Sequence, residues 1–323
     1  MIVSGRASLM AACVLMAGLF LAAVGSVQAQ TVTIGVRVDA GPFARLDPFT
    51  GKFRGYLVDL CREAVTRAGY TFTERPVTAG QRMQILEGRI DVTPVDQDDT
   101  QGPWTLDLLC DPTTLSLKRL DNLARQGSEV LAFSPVVFVA NGSFITLKDR
   151  KARGPEDRGL ADHCPPPGTD GEGDPQFLIA GHVRGTTSET VIRRVAAVDD
   201  KDALCIWTAE GHAEAVAALC RGEIDYYFGD LDIIEFYRSH LAESGTNCAR
   251  IEPPRSVLSY EPYALLVSDN TSGFRPRFFA ALYELFSDGT AEQRFSSHFG
   301  GASPSTALNL LFRINSVPGL RDN

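Results

Sequence analysis

Two distant stretches of this chain repeat one local pattern. Ile85-Leu86-Glu87-Gly88-Arg89-Ile90-Asp91 and Leu219-Cys220-Arg221-Gly222-Glu223-Ile224-Asp225 each read as a helix end, a glycine suited to a left-handed cap, and a step into a short strand. A repeated helix-glycine-strand unit implies an α/β chain with two similar lobes rather than one elongated sheet. That repetition constrains the fold more than any other feature.

Local periodicity fills in the first lobe. Thr31 to Arg37 places Val32, Ile34 and Val36 on one side and reads as a strand. A Gly-Pro turn and a polar hairpin tip around Asp47 to Lys52 follow. From Tyr56 the apolar spacing changes to Leu57, Leu60, Cys61, Ala64, Val65 and Ala68, one face of a helix that stops at Gly69. The segment Lys151 to Gln176 is rich in Gly, Pro, Asp and Arg and reads as a long surface loop. Its acids Asp170, Glu172 and Asp174 alternate with glycines like a calcium loop, but the bidentate Glu such loops need is missing at the right spacing, so no metal is expected.

The N-terminus reads as an export signal cleaved near Ala29, with Arg6 as its positive flank and small residues before the cut. Its apolar run of about 16 residues falls short of the roughly 20 that span a bilayer. The expected compartment is therefore the periplasm. The formal charge of −9 argues against nucleic acid or an anionic membrane surface as partner. Of seven cysteines, Cys13 leaves with the signal. The other six permit up to three disulfides in an oxidising compartment. Cys61 and Cys220 fall on apolar helix faces, where a buried free thiol is at least as good a reading as a bridge.

The chemistry concentrates in two segments, Pro112 to Arg119 and Arg184 to Glu189. In the first, Thr113 and Thr114 precede Arg119, and a guanidinium can clamp both oxygens of a carboxylate. In the second, Gly185-Thr186-Thr187 opens a helix whose free N–H groups and dipole attract an anion. Thr186 and Glu189 also have the spacing of a capping box, which explains both without a ligand. Together the two segments suggest a receptor for a small zwitterion or diacid. Ser-His-Asp order, a metal cluster and a G-x-S-x-G elbow are absent, so neither an enzyme nor a cofactor is expected.

Taken in order, Gly35-Val36-Arg37, Pro42-Phe43, Gly55-Tyr56, Asp59, Thr78, Arg82, Cys110 to Arg119, Gly185 to Glu189, His212, Phe228-Gly229-Asp230 and Leu308-Asn309-Leu310 form one pattern. It resembles the family 3 periplasmic solute-binding proteins of polar amino acid ABC transporters, and within them the glutamate/aspartate-binding members. The resemblance implies the type II periplasmic binding protein fold, two α/β lobes joined by a hinge with the ligand in the cleft. Lobe 1 would take residues 30–136 and, with the tail, 233–323; lobe 2 would take 137–232, after the signal at 1–29.

Carried over by position, the resemblance assigns Arg119, with Thr113, Thr114 and the N–H groups around Thr186 and Thr187, to the ligand α-carboxylate. Arg37, Arg82 and His212 fall near the side-chain carboxylate of an acidic ligand, and Asp230 near the ammonium, with Asp232 as its competitor. The implied protein is a monomer that hands a polar, acidic amino acid to an inner-membrane ABC permease. Ala79 and Pro112 stand where those members have serines, which removes two hydroxyls from the ligand shell. Two rivals share the fold: a periplasmic dehydratase of cyclic carboxylates, with Glu261, Asp230 or His212 as its acid, and a ligand-sensing module. Phe43 and Tyr56 are candidate cleft walls, although core packing is the commoner fate of such rings.

Overall fold

Val32, Ile34 and Val36 are fully buried in β1 (Thr31–Arg37) of the computed structural model, which describes residues 29–93, 102–125, 130–148, 178–198, 204–243, 245, 248, 251–252 and 256–318. The architecture is that of one compact unit, Thr31–Asn323. The expected signal up to residue 28, and the segment 151–176 with its calcium-like acids, lie outside the described residues.

After β1 the chain forms a small sheet from β2 (Asp39–Ala40), β3 (Ala44–Leu46) and β4 (Phe53–Arg54). Its tip closes where the Asp47 carboxylate accepts the Phe49 and Thr50 N–H groups, at 3.0 and 3.2 Å. Helix α1 (Tyr56–Arg67) buries the predicted stripe, and Gly69, at φ 85°, ends it. The chain then returns as β5 (Thr71–Val77), parallel to β1. A capping box between Thr78 and Gln81 starts α2 (Ala79–Leu86). Beyond it, β6 (Asp91–Val92) pairs with β7 (Trp104–Thr105), and β8 (Leu108–Cys110) joins the other edge of β1 in parallel. Phe43 and Tyr56 are fully buried in this core, the packing fate rather than the cleft wall.

Helix α3 (Leu117–Arg125) leads to β9 (Leu131–Leu147), which links the two halves. The second half repeats the scheme with parallel strands β10 (Leu178–Val183), β11 (Leu204–Ala209) and β12 (Tyr226–Asp230). Its helices are α4 (Ser188–Val198), α5 (His212–Arg221) and α6 (Leu231–Glu243). Gly222 caps α5 at φ 75° and Gly88 follows α2 at φ 89°, so both glycines of the repeated pattern take the left-handed conformation. The return path runs through β13 (Ile251–Glu252), β14 (Ser259–Ser268), α7 (Phe274–Ser287), α8 (Thr290–His298) and α9 (Thr306–Asn315).

The separation into two sheets expected from the repeat is incomplete. Strands run β11-β10-β12-β9-β14-β8-β1-β5 in a single hydrogen-bonded sheet, with β13 also on β9. The reason is the length of β9: its first part pairs with β14, while Gly142 to Thr146 pair with β12. Apolar cores nonetheless form separately. Val36, Leu57, Leu265 and Phe278 belong to one cluster, and Ile179, Val216, Leu219 and Tyr227 to another. Helix α9 seats Leu308 and Phe312 in the first core, and the Asn315 amide donates to the Val136 carbonyl on β9 at 2.7 Å.

The open question at Cys61 and Cys220 resolves toward bridges. Cys61 on α1 bonds Cys110 on β8, and Cys220 on α5 bonds Cys248. An apolar helix face suits a thiol and half of a disulfide equally; the partner is decided by the segment the helix packs on, β8 for Cys61 and the chain at Cys248 for Cys220. Cys205 is disulfide-bonded as well.

Candidate functional site

Parallel strands in open α/β sheets present their carboxyl ends to ligands. Here β1 ends at Arg37, β8 runs into Asp111-Pro112-Thr113-Thr114, and the first turn of α3 carries Arg119. From the other half, β10 delivers Arg184 to Thr187, β11 the turn before His212, and β12 ends at Asp230. These loops face one another across a cavity of about 30 Å³. That is room for a water or two at roughly 10–15 Å³ each.

Of the residues expected to bind, Arg37, Arg82, Thr114, Arg119, Thr186, Thr187, His212 and Asp230 all line this cavity. Thr113 is fully buried and is absent from the lining. Its hydroxyl donates to Asp111 and its carbonyl accepts the Ala264 N–H at 3.0 Å, so it fixes the wall rather than presenting to the cavity. Asp232 is likewise not among the lining residues.

The three arginines differ in their charge balance. Arg37 donates from Nε to Asp39, and Arg82 donates from Nε to Asp111 at 2.8 Å. Arg119 makes no ion pair among the described residues: Nη1 donates to the Thr114 carbonyl at 2.7 Å and Nη2 to the Gly185 carbonyl at 3.0 Å. Arg82 Nη1 reaches the same Gly185 carbonyl at 2.9 Å. One backbone oxygen from the second half therefore takes donors from two guanidinium groups of the first. Gly185 sits at φ 72°, a backbone conformation that calls for glycine, and a Cβ there would lie 2.3 Å from Met83 Sδ, so that side chain would have to shift.

Burial sets the protonation states. It lowers the Arg119 pKa to about 9, with Arg82 adding repulsion, and the group stays charged at neutral pH. Burial also works against an ionised Asp111, but the attraction of Arg82 and Arg37 prevails and holds it below the usual carboxylate range. His212, hydrogen-bonded through Nδ1 to the Tyr227 hydroxyl at 2.8 Å, is pushed by burial down to about 4 and is a neutral imidazole. Asp230 is pushed up to about 7 by burial, against the hydrogen bond that it accepts from Tyr263.

The helix start at Thr186 is not a capping box. Thr186 donates to the Val183 carbonyl at 2.7 Å, and Glu189 binds Arg193 one turn on at 2.9 Å. The hydroxyl of Thr187 donates to Glu261 on β14 at 3.0 Å, linking the two halves a second time. Glu261, considered at first only as an enzymatic acid, and Asp39, Asp111 and Tyr263 are thus components that sequence reasoning did not place in a binding site. Asp39 stands two residues from Arg37 on a strand end, a signal that was there to read; Asp111 and Glu261 meet their partners only through the fold. Among the described residues, no group of His, Cys, Asp or Glu could hold a metal ion.

No protein-family model matches the chain, and no curated protein matches it. Solved structures do. An ancestral arginine-binding protein bound to glutamine aligns over 84% of this chain and 99% of its own, with 19% identity and a TM-score of 0.60. A putative L-cystine ABC transporter from Listeria monocytogenes aligns over 87% and 100%, with 15% identity and a TM-score of 0.58. The fold is that of a type II periplasmic binding protein. The ancestral amino acid-binding protein AncCDT-1, a precursor of cyclohexadienyl dehydratase, aligns over 83% and 95%, with 18% identity and a TM-score of 0.55.

Proposed function

We propose that this chain is an extracytoplasmic binding protein that captures a polar amino acid between its two halves and delivers it to an inner-membrane ABC permease. Arg119 carries the reading. It is a buried guanidinium that makes no ion pair among the described residues, on the cavity wall, opposite the N-terminal turn of α4 at Thr186, Thr187 and Ser188. A cation and a helix N-terminus converging on one point suit a carboxylate.

The ligand carboxylate would replace the Gly185 carbonyl as the acceptor for Arg119, and the ammonium would face Asp230 and the Pro112 carbonyl. A 30 Å³ cavity does not hold an amino acid, so binding requires the arginine–Gly185 bonds to open and the halves to reclose on the ligand. Closure would give the permease a distinct liganded shape to read. The resemblance of the solved-structure neighbours named as amino-acid binders and as an ABC transporter supports this reading.

Calorimetry on the purified domain, refolded to strip ligand, against a panel of amino acids tests it. Binding at micromolar or tighter affinity, abolished by Arg119→Ala, is the expected result. Silence toward every amino acid would overturn it. A second reading, a dehydratase of cyclic carboxylates, draws on Asp230, whose pKa of about 7 is suited to a general acid. Turnover of prephenate or arogenate, lost in Asp230→Asn, would favour that reading instead.

A further inference from the structure

Counting arginines in the sequence points to an acidic ligand; counting the charges around the cavity points elsewhere. Arg37, Arg82 and Arg119 are 3%, 6% and 8% exposed, so their charges have to be balanced within the protein. Asp39 takes Arg37 and Asp111 takes Arg82. Glu261, 6% exposed, attracts Arg119 electrostatically while accepting from Thr187. Two of the three guanidinium groups are thus ion-paired, and the third, Arg119, lies unpaired in the field of Asp111 and Glu261, before Asp230 is counted. With Arg119 taken by the α-carboxylate and Arg184, the fourth arginine on the cavity, bound to Glu210, an amino acid with a carboxylate side chain would bring one more negative charge to a closed site whose cations are already engaged.

One donor at the side-chain end still lacks an acceptor. Arg37 Nη1 is buried and without a hydrogen-bond partner. Its charge is already balanced by Asp39, so a neutral oxygen satisfies the donor without adding charge. A cationic side chain would offer Arg37 only further donors, beside a second guanidinium at Arg82.

We infer that this site, if it binds amino acids as proposed above, selects those with an uncharged side chain that ends in a hydrogen-bond acceptor, an amide above all, over their acidic isosteres. Arg37 is the specificity-determining residue, and Asp39 and Asp111 exclude the acid.

Glutamine against glutamate and asparagine against aspartate are matched in size and shape, so their affinity ratios isolate the charge. Calorimetry on the refolded domain, with arginine as the cationic arm, is expected to show at least one amide binding tenfold or more tighter than its acid and than arginine. Asp39→Asn, at the more exposed of the two ion pairs, is expected to narrow that ratio by tenfold or more in favour of the acid, and Asp111→Asn to do the same if it folds. Equal or tighter binding of the acid or of arginine by the wild-type protein overturns the inference and leaves the binding function standing, as does an unchanged ratio in Asp39→Asn. Silence toward all five ligands also overturns the inference, and silence toward the full amino-acid panel overturns the binding function itself.

Discussion

Folding moves the titration of Asp230 from the ordinary carboxylate range to near neutrality. Burial raises its pKa from 3.8 to about 7. Between those values the unfolded chain has released the proton while the folded protein keeps it, so rising pH favours the unfolded state and the cost is complete above pH 7. His212 works in the other direction: its folded pKa of about 4 lies below the ordinary 6.5, so its cost grows as pH falls from 6.5 toward 4 and vanishes above. Of these two costs, the Asp230 one alone applies at pH 8. Asp230→Asn, which keeps an acceptor for Tyr263, is therefore expected to raise the unfolding free energy of the ligand-free domain at pH 8 by about 2–4 kcal/mol in urea titrations. The same variant should bind a zwitterion at least tenfold more weakly, because the ammonium loses its counter-charge. Wild-type affinity should rise between pH 6 and pH 8 as Asp230 ionises, and the rise should be absent in the variant. The carboxylate is costly to the empty protein and useful to the loaded one.

Elements were legible wherever one periodicity or one cap governs them. Strand β1, helix α1 and the stop at Gly69 follow from spacing alone, because each depends on neighbours in the sequence. The capping box expected at Thr186 and Glu189 gave way to local competitors: the Thr186 hydroxyl donates back to the Val183 carbonyl, and Glu189 finds Arg193 one turn away. The pattern does form at Thr78 and Gln81. Disulfides belong to this scale as well. Cys61–Cys110 ties α1 to β8 across a sequence separation of 49 residues. A loop of that size implies about 4 kcal/mol of stabilisation in the chain-entropy account. The double variant Cys61→Ala/Cys110→Ala should lose that amount in equilibrium unfolding; a loss below about 1 kcal/mol would mean that helix packing alone holds the pair together.

At the scale of the whole molecule, the Gly185 carbonyl of one half accepts from two guanidinium groups of the other. Gly185→Ala would place a methyl 2.3 Å from Met83 Sδ at a φ of 72° that alanine disfavours. The expected outcome is a larger radius of gyration by small-angle scattering in the ligand-free protein, and weaker binding because the liganded closure is blocked by the same clash; an unchanged radius would show that Met83 yields instead. What the sequence by itself determined is the inventory: repeated helix-glycine-strand units, strand ends loaded with arginines and hydroxyls, and Thr113-Thr114 ahead of Arg119. Those features depend on local spacing; the resemblance added Arg37, Arg82, His212 and Asp230, and eight of the nine expected residues line one cavity. Tertiary structure alone decided that β9 joins both halves into one sheet, that Cys61 and Cys220 are bridged, and that Asp111 and Glu261 stand beside Arg82 and Thr187. Compensation of buried charge acts through space between elements far apart in the chain, so a count of arginines in the sequence could not tell which of them a ligand would find uncommitted.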